Sequence, residues 1–182
     1  HGAKGRDCSE CSPDAFFQIL RFQGNHGVTS MLAAFMTMPM PLILRGLERV
    51  RAFKGENKES SNLLGIYLEG PFLSQRNRGA QSSDYILSCQ KQHYQSLLSF
   101  KDILKIIVVS PHTRNALKMI TEFSSNGIIV SGGHDNAYEE IIYGAIKAGM
   151  SHVTHLFCAM SSMRRRKGKK QFGLTEMALL SD

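Results

Sequence analysis

Histidine and glutamate side chains recur along this chain at the points where short apolar segments end. These residues are His1, Glu69, His134 and His155. In barrels of parallel strands, the active site is built at the carboxyl ends of the strands, where such side chains meet. Imidazole nitrogens and carboxylate oxygens suit zinc or another divalent transition metal, and three protein ligands leave an open position for a reactive water. Glu69, His134 and His155 are therefore predicted to form a metal site, and His1 lies at a comparable position.

The other histidines are weaker candidates for metal binding. His152 and His155 lie three residues apart in one predicted strand, so their side chains point to opposite faces and only one can reach the metal. His155 is nearer the strand end and is the preferred ligand. His26 and His93 are expected to be structural. His112 follows a strand and is a possible neighbour of the substrate.

Apolar segments along the chain predict strands that alternate with helices. Ser12 and Pro13 mark the start of a helix, and Gly127 and Gly149 mark the ends of later ones. One predicted strand ends at His1, and the others cover residues 28–37, 63–68, 103–109, 128–131 and 152–157. Five helices are predicted: one begins at Pro13, one follows Pro41, one contains Leu97, and two cover residues 116–123 and 137–148.

Six strand-helix units indicate an α/β fold with a parallel sheet covered by helices. No glycine-rich dinucleotide fingerprint or phosphate loop follows any strand, which removes the usual support for a doubly wound nucleotide-binding fold. An eight-unit barrel takes about 250 residues. The chain is therefore expected to form a partial (β/α)8 TIM-type barrel with roughly its first six units, as a single catalytic domain over residues 1–182.

Composition and charge narrow the class of protein. The chain has 182 residues, of which 42% are apolar and 20% charged, and it contains no apolar run of the length that spans a bilayer. Four scattered cysteines favour a reducing cytoplasm over a disulfide framework, and the Cys8–Cys11 pair is expected to be two loop thiols. The first residues lack the features of a signal peptide and an initiator Met, so an excerpt of a longer product is expected.

Much of the net charge of +7 is concentrated in residues 164–170. A solvated loop is the expected structure, a local anion site is the alternative, and nucleic-acid binding is a more distant one, because no RNA-binding aromatic signature accompanies the charge. We therefore expect neither a nucleic-acid nor a membrane partner.

Four motifs, in order along the chain, resemble those of the N-acetylglucosamine-6-phosphate deacetylases, which are amidohydrolase-superfamily barrels. The segments HGAKGRD, LEGPF, GHDNA and THLFCAM begin at His1, Leu68, Gly133 and Thr154. They resemble the family's HGxxGxD, LEGPF, GHSNA and THLFNAM. The resemblance implies hydrolysis of the N-acetyl group of N-acetylglucosamine-6-phosphate, or of a related amino-sugar phosphate, to acetate and the free amine.

The resemblance also implies a cofactor of one or two divalent metal ions, with zinc preferred. Glu69, His134 and His155 match the family's metal ligands, and His1 matches the second His of its HxH pair. The general acid and base of the family is an aspartate that would follow Asp182, so no catalytic residue is expected in this chain. A homodimer is expected for a full-length product, and the isolated chain is expected to be poorly soluble and inactive.

The substrate-binding positions implied by the resemblance are Gln81, Cys158, Ala159 and Arg166. Gln81 stands where the family usually has His, and Cys158 replaces the Asn of its NAM segment. Arg166 matches the arginine that holds the sugar phosphate, a role suited to its fork of donors. These departures leave two further hypotheses: an inactive homologue, or a non-catalytic protein that binds sugar phosphates.

Overall fold

A five-stranded parallel sheet forms the centre of the protein in the computed structural model, which describes residues 1–54, 60–166 and 168–181. Its strands pair in sequence order: β3 (Ser30–Phe35), β4 (Asn62–Glu69), β5 (Leu104–Val109), β6 (Ile129–Gly132) and β7 (Met150–Val153). Two short antiparallel hairpins flank the sheet, β1 (Gly2–Ala3) with β2 (Arg6–Asp7) and β8 (Arg164–Arg166) with β9 (Lys169–Gln171).

Helices connect the successive strands of the sheet, and one further helix lies on either side of it in the chain. They are α1 (Pro13–Asn25), α2 (Met40–Phe53), α3 (Lys91–Tyr94), α4 (Ala116–Ser125), α5 (Glu139–Lys147) and α6 (Leu174–Leu180). Of these, α1 precedes β3 and α6 follows β9. Turns of 3-10 helix cover Cys8–Glu10, Gln75–Asn77, Ser83–Tyr85 and Gln95–Phe100. This alternation confirms the prediction of a mixed α/β protein with a parallel sheet.

Local sequence explains where α1 begins. The Ser12 hydroxyl accepts a hydrogen bond from the Ala15 N–H at 3.1 Å, and Pro13 occupies the first turn, where its missing N–H has no cost. Phe16, Ile19 and Leu20 lie on one face and are buried. The predicted helix is therefore confirmed.

The two faces of β4 have different roles. Ile66 and Leu68 are fully buried and belong to the hydrophobic core. Because successive side chains of a strand alternate between faces, Tyr67 and Glu69 point to the opposite side of the sheet. A strand covered on both faces explains the nearly continuous apolar sequence of β4 and β5.

Two sequence-based predictions of elements are wrong. Residues 2–7 form the hairpin of β1 and β2, which turns at Lys4 and Gly5 with φ values of 58° and 75°; the strand predicted to end at His1 would precede this hairpin and stays a prediction. The last strand ends at Val153 rather than at residue 157, since left-handed backbone at His155 cannot continue a strand.

The second error concerns the basic segment, which forms the hairpin of β8 and β9 around Gly168, with φ 76°, instead of a loop. Lys167 and the side chain of Arg166 lie outside the described residues. A smaller difference affects α5, which begins at Glu139 rather than Ala137. The Asp135 side chain accepts the Ala137 N–H at 2.6 Å and closes a turn there.

No helix within the described ranges is both long enough and apolar enough to cross a membrane.

Candidate metal centre

The carboxyl edge of the parallel sheet brings three predicted ligands together. Glu69 is the last residue of β4, while His134 and His155 each lie two residues beyond the ends of β6 and β7. Parallel strands direct their carboxyl ends to the same edge, so residues distant in sequence meet there. Glu69 and His134 are buried, and His155 is partly accessible from solvent.

The ligand atoms of this cluster lie within contact distance of one another. Glu69 Oε1 is 2.7 Å from His134 Nε2 and 3.2 Å from His155 Nε2. The two imidazole Nε2 atoms are 3.1 Å apart. The cluster therefore presents two nitrogens and one oxygen to a single point.

Backbone carbonyls fix the orientation of each imidazole. The Nδ1 atoms of His134 and His155 lie 3.0 Å and 2.9 Å from the carbonyl oxygens of Asn77 and Cys158, respectively. A carbonyl can only accept, so each Nδ1 must carry a proton, and a neutral ring then leaves an Nε2 lone pair directed at the cluster. This arrangement is typical of metal-binding histidines. The two carbonyls could not be identified from residue types, because every residue has one.

The donor set fits a divalent transition metal. A tetrahedral ion with bonds of about 2.0–2.1 Å separates its ligand atoms by about 3.3 Å. The separations of 2.7, 3.1 and 3.2 Å are close to this value. Two unprotonated Nε2 atoms facing each other at 3.1 Å would repel, and a cation between them removes that repulsion.

His1 contacts the other oxygen of the same carboxylate. Its Nε2 lies 2.8 Å from Glu69 Oε2, and its Nδ1 lies 3.2 Å from the Ala34 carbonyl. The hydrogen bond to Glu69 raises the pKa of His1 despite partial burial. Burial alone would raise the pKa of Glu69, but the neighbouring His1 and His134 imidazoles outweigh it and hold the pKa well below its ordinary range. Glu69 thus stays ionised, and its two oxygens contact different histidines: Oε1 contacts His134 and His155, and Oε2 contacts His1.

The positions of β4 and β7 show that the sheet is strongly curved. Strands β5 and β6 separate them in the sheet order. On a flat sheet, three spacings of about 4.8 Å would keep them about 14 Å apart. Glu69 and His155 nevertheless approach to 3.2 Å, and Tyr67 hydrogen bonds to Thr154. The cluster therefore lies at the mouth of a concave face.

Left-handed backbone is concentrated at this edge of the sheet. His134, His155, Phe157 and Ala159 have φ values of 44°, 34°, 73° and 51°. Side-chain-bearing residues rarely adopt such angles, and they persist only where surrounding contacts hold them. The connections after β6 and β7 are thus held by tertiary contacts.

The four implied substrate positions differ in accessibility. Gln81 is buried, and its Oε1 accepts the Thr37 N–H at 2.8 Å. The Cys158 side chain is exposed, while the Ala159 carbonyl accepts the Asp135 N–H at 3.1 Å. The side chain of Arg166 lies outside the described residues. Substrate binding by these residues stays a prediction.

The remaining histidines have other partners. The His26 ring bonds to the Phe22 carbonyl at 2.7 Å and the His93 ring to the Ser88 carbonyl at 3.0 Å, which agrees with structural roles. The backbone N–H of His112 donates to the Asp135 carboxylate, which lies outside the cluster. The His152 ring contacts the Ser131 hydroxyl. Ser131 is not among the predicted site residues.

The Cys8 and Cys11 thiols are free and lie outside the metal-type cluster found among the described residues. Burial raises the pKa of each to about 11, so both are protonated at neutral pH.

Together these features define an α/β protein with a metal-type cluster at the carboxyl edge of its sheet. No protein-family model matches the chain. The chain is 32% identical over 175 residues to an N-acetylglucosamine-6-phosphate deacetylase of Bacillus subtilis, covering 92% of this chain and 43% of the relative. It is 25% identical over 178 residues to an N-acetylgalactosamine-6-phosphate deacetylase of Escherichia coli O157:H7, covering 97% of this chain and 47% of the relative.

Solved structures give the same relationship. The N-acetylglucosamine-6-phosphate deacetylase from Pasteurella multocida superposes with a TM-score of 0.90 at 28% identity, covering 100% of this chain and 46% of that one. The chain is therefore homologous to the N-acetylglucosamine-6-phosphate deacetylases, which confirms the resemblance carried by the four motifs. It spans less than half the length of these relatives.

Proposed function

We propose that this chain supplies the metal centre of a deacetylase. The reaction is hydrolysis of the N-acetyl group of N-acetylglucosamine-6-phosphate, or of a related N-acetyl amino-sugar phosphate, to acetate and the free amino sugar. The observation that carries this proposal is the convergence of His134 Nε2, His155 Nε2 and Glu69 Oε1 within 3.2 Å of one another. The names of the homologues supply the substrate class.

The fold supports the finer architectural proposal of a partial TIM-type barrel forming one domain over residues 1–182. Five parallel strands in sequence order and a strongly curved sheet are what the first part of such a barrel requires. Location in the cytoplasm and assembly of the full-length product as a homodimer are proposals on the same basis.

Glu69, His134 and His155 would hold a divalent ion, zinc by preference, with His1 available for a second. When bound, such an ion lowers the pKa of its water toward about 7 and polarises the amide carbonyl. The carbonyls of Asn77 and Cys158 keep the two Nε2 atoms aimed at the ion. The side-chain atoms that would hold the ion cannot also move protons. We therefore propose that the general acid and base is the aspartate that the family resemblance places after Asp182.

Gln81, Cys158, Ala159 and Arg166 are proposed to contact the substrate. The homologue from Escherichia coli is named for the galactosamine substrate. Both sugar phosphates are therefore the appropriate substrates to test.

The central test compares His134→Ala with His26→Ala in the full-length product, which is proposed to include the general acid and base. His26 is an exposed histidine whose ring contacts the Phe22 carbonyl away from the cluster, so it is a matched control. We expect His134→Ala to lose bound zinc and acetate release, while His26→Ala keeps both. Zinc content by atomic absorption and acetate release from both sugar phosphates are the two measurements.

The measurements also separate the competing functions. Equal zinc content in His134→Ala and the parent protein would refute the metal site. A zinc-loaded, folded full-length product that releases no acetate but binds N-acetylglucosamine-6-phosphate by calorimetry would be a sugar-phosphate-binding homologue. One that does neither would be an inactive homologue. Tight, salt-sensitive oligonucleotide binding would support the basic-segment alternative.

A further inference from the structure

A buried hydroxyl network lies on the concave face beneath the metal-type cluster. Tyr67 precedes Glu69 by two residues and shares its face, and its phenol hydrogen bonds to the Thr154 hydroxyl. Thr154 Oγ1 also lies 2.6 Å from Ser131 Oγ, which in turn lies 2.9 Å from His152 Nδ1. Thr154 is the central member of the network and is the residue immediately before His155.

The network is satisfied in either of two directions. Each hydroxyl carries one proton, so the donors run either from His152 through Ser131 and Thr154 to Tyr67, or in reverse. In both directions the Thr154 hydroxyl donates one hydrogen bond and accepts another. Ser131 and Thr154 are buried, so loss of either bond would leave polar groups without water to replace the partner.

The Tyr67–Thr154 bond crosses the concave face from β4 to the residue after β7. It therefore fixes the same separation that brings His155 to Glu69, because its two residues lie two positions before Glu69 and one position before His155. The Thr154 N–H additionally donates to the Gly132 carbonyl at 2.9 Å, which extends the pairing of β6 with β7 beyond Val153. His155, with its left-handed φ of 34°, follows this anchored point.

We propose that Thr154 is a positioning residue whose hydroxyl, bonded to Tyr67 and Ser131, sets the distance between His155 and Glu69 in the metal centre. The inference rests on the proposed metal-binding function. Valine matches threonine in shape but cannot take part in the network, whereas serine keeps the hydroxyl. Thr154→Val therefore removes both bonds and Thr154→Ser retains them.

The test measures zinc affinity by competition with a chromophoric chelator and the visible absorption spectrum of the cobalt-loaded protein. Loss of a group that is hydrogen-bonded directly to a metal ligand weakens metal binding about 10–100-fold. The Thr154 hydroxyl bonds to no ligand side chain and acts through the backbone that it shares with His155, so the lower end of this range applies. We expect a decrease in this range, with an altered cobalt spectrum, for Thr154→Val, and near-parent values for Thr154→Ser. Thr175→Val is the matched control, because Thr175 is also buried but bonds through its backbone N–H to Ser161.

Parent-like zinc affinity and cobalt spectrum in Thr154→Val would overturn the inference. If that variant does not fold, Tyr67→Phe provides the second test, since it deletes only the phenol hydroxyl and is expected to weaken zinc binding in the same direction. A parent protein that binds no zinc or cobalt would refute the proposed function itself. A metal-binding parent with an unaffected Tyr67→Phe and Thr154→Val would refute only the role of the network.

Discussion

Replacing Asp135 by alanine is expected to destabilise the protein strongly, although Asp135 is not a predicted ligand. Its side chain is fully buried. Oδ1 accepts from the Ser110 hydroxyl at 2.6 Å and the His112 N–H at 3.1 Å, while Oδ2 accepts from the Ala137 N–H at 2.6 Å. The carboxylate thus connects the segment after β5 to the start of α5, directly beside His134.

The magnitude follows from these donors. The Ser110 hydroxyl can rotate toward another acceptor, but two backbone N–H groups would lose theirs, at about 1–3 kcal/mol each. Burial raises the pKa of Asp135 despite the three donors, so desolvation of the carboxylate outweighs the stabilisation that the donors give to its charged form. Removing the side chain also removes this desolvation cost, which offsets part of the cost of the two unpaired N–H groups. We therefore expect a net loss of about 2–4 kcal/mol in the free energy of unfolding, a large fraction of the 5–15 kcal/mol typical of domains.

Urea denaturation followed by circular dichroism measures this loss directly. Asp135→Asn should fall between the parent and the alanine variant, because it keeps one acceptor oxygen but turns an NH2 group toward a donor. Asp84→Ala is the control, since Asp84 is exposed and its carboxylate contacts only the neighbouring Ser83 hydroxyl among the bonds described. An Asp135→Ala midpoint equal to that of Asp84→Ala, with the same denaturant slope, would refute the reasoning.

Two further predictions concern the scaffold. Phe123→Ala should lower the free energy of unfolding by about 3–5 kcal/mol, because the ring is fully buried against Tyr94, and a change below about 1 kcal/mol in urea denaturation would contradict this. The Arg51 guanidinium beside Asp102 lowers the pKa of that carboxyl, so their pairing stabilises the fold above the ordinary pKa and is lost as pH falls through the lowered value. Asp102→Asn should therefore lower the free energy of unfolding by less than about 1 kcal/mol at pH 7, since both side chains are substantially exposed. The difference in free energy between the variant and the parent should disappear in acid. A difference that grows on acidification would contradict this prediction.

The elements that could be predicted from sequence are those whose local pattern agrees with their environment. Helix α4 has its buried residues at helical spacing and ends before Gly127, and β5 is an apolar run interrupted only by Lys105. Glu69 was identifiable because it directly follows such a run. In each case the signal lies within a window of about ten residues, which is the range that periodicity can read.

The features that sequence patterns did not predict depend on contacts between distant segments. The hairpin of β8 and β9 places like charges directly opposite each other, with Arg165 facing Lys170, an arrangement that strand propensity argues against. The carbonyls of Asn77 and Cys158 act as orienting groups through their position alone. The partners of Asp135 lie up to 25 residues away along the chain, so its role could not be read from its neighbours.

The strained backbone and the long-range networks at the carboxyl edge have a common explanation. His134 and His155 adopt left-handed conformations that local interactions do not favour, so their positions depend on the contacts of Asp135 and Thr154. The hydrophobic core, by contrast, is built from the strands of the parallel sheet and the helices that cover them. Disturbing either network should therefore displace the proposed metal ligands without removing any core side chain. Metal affinity is then expected to be a more sensitive measure of these two residues than the secondary-structure content of the protein.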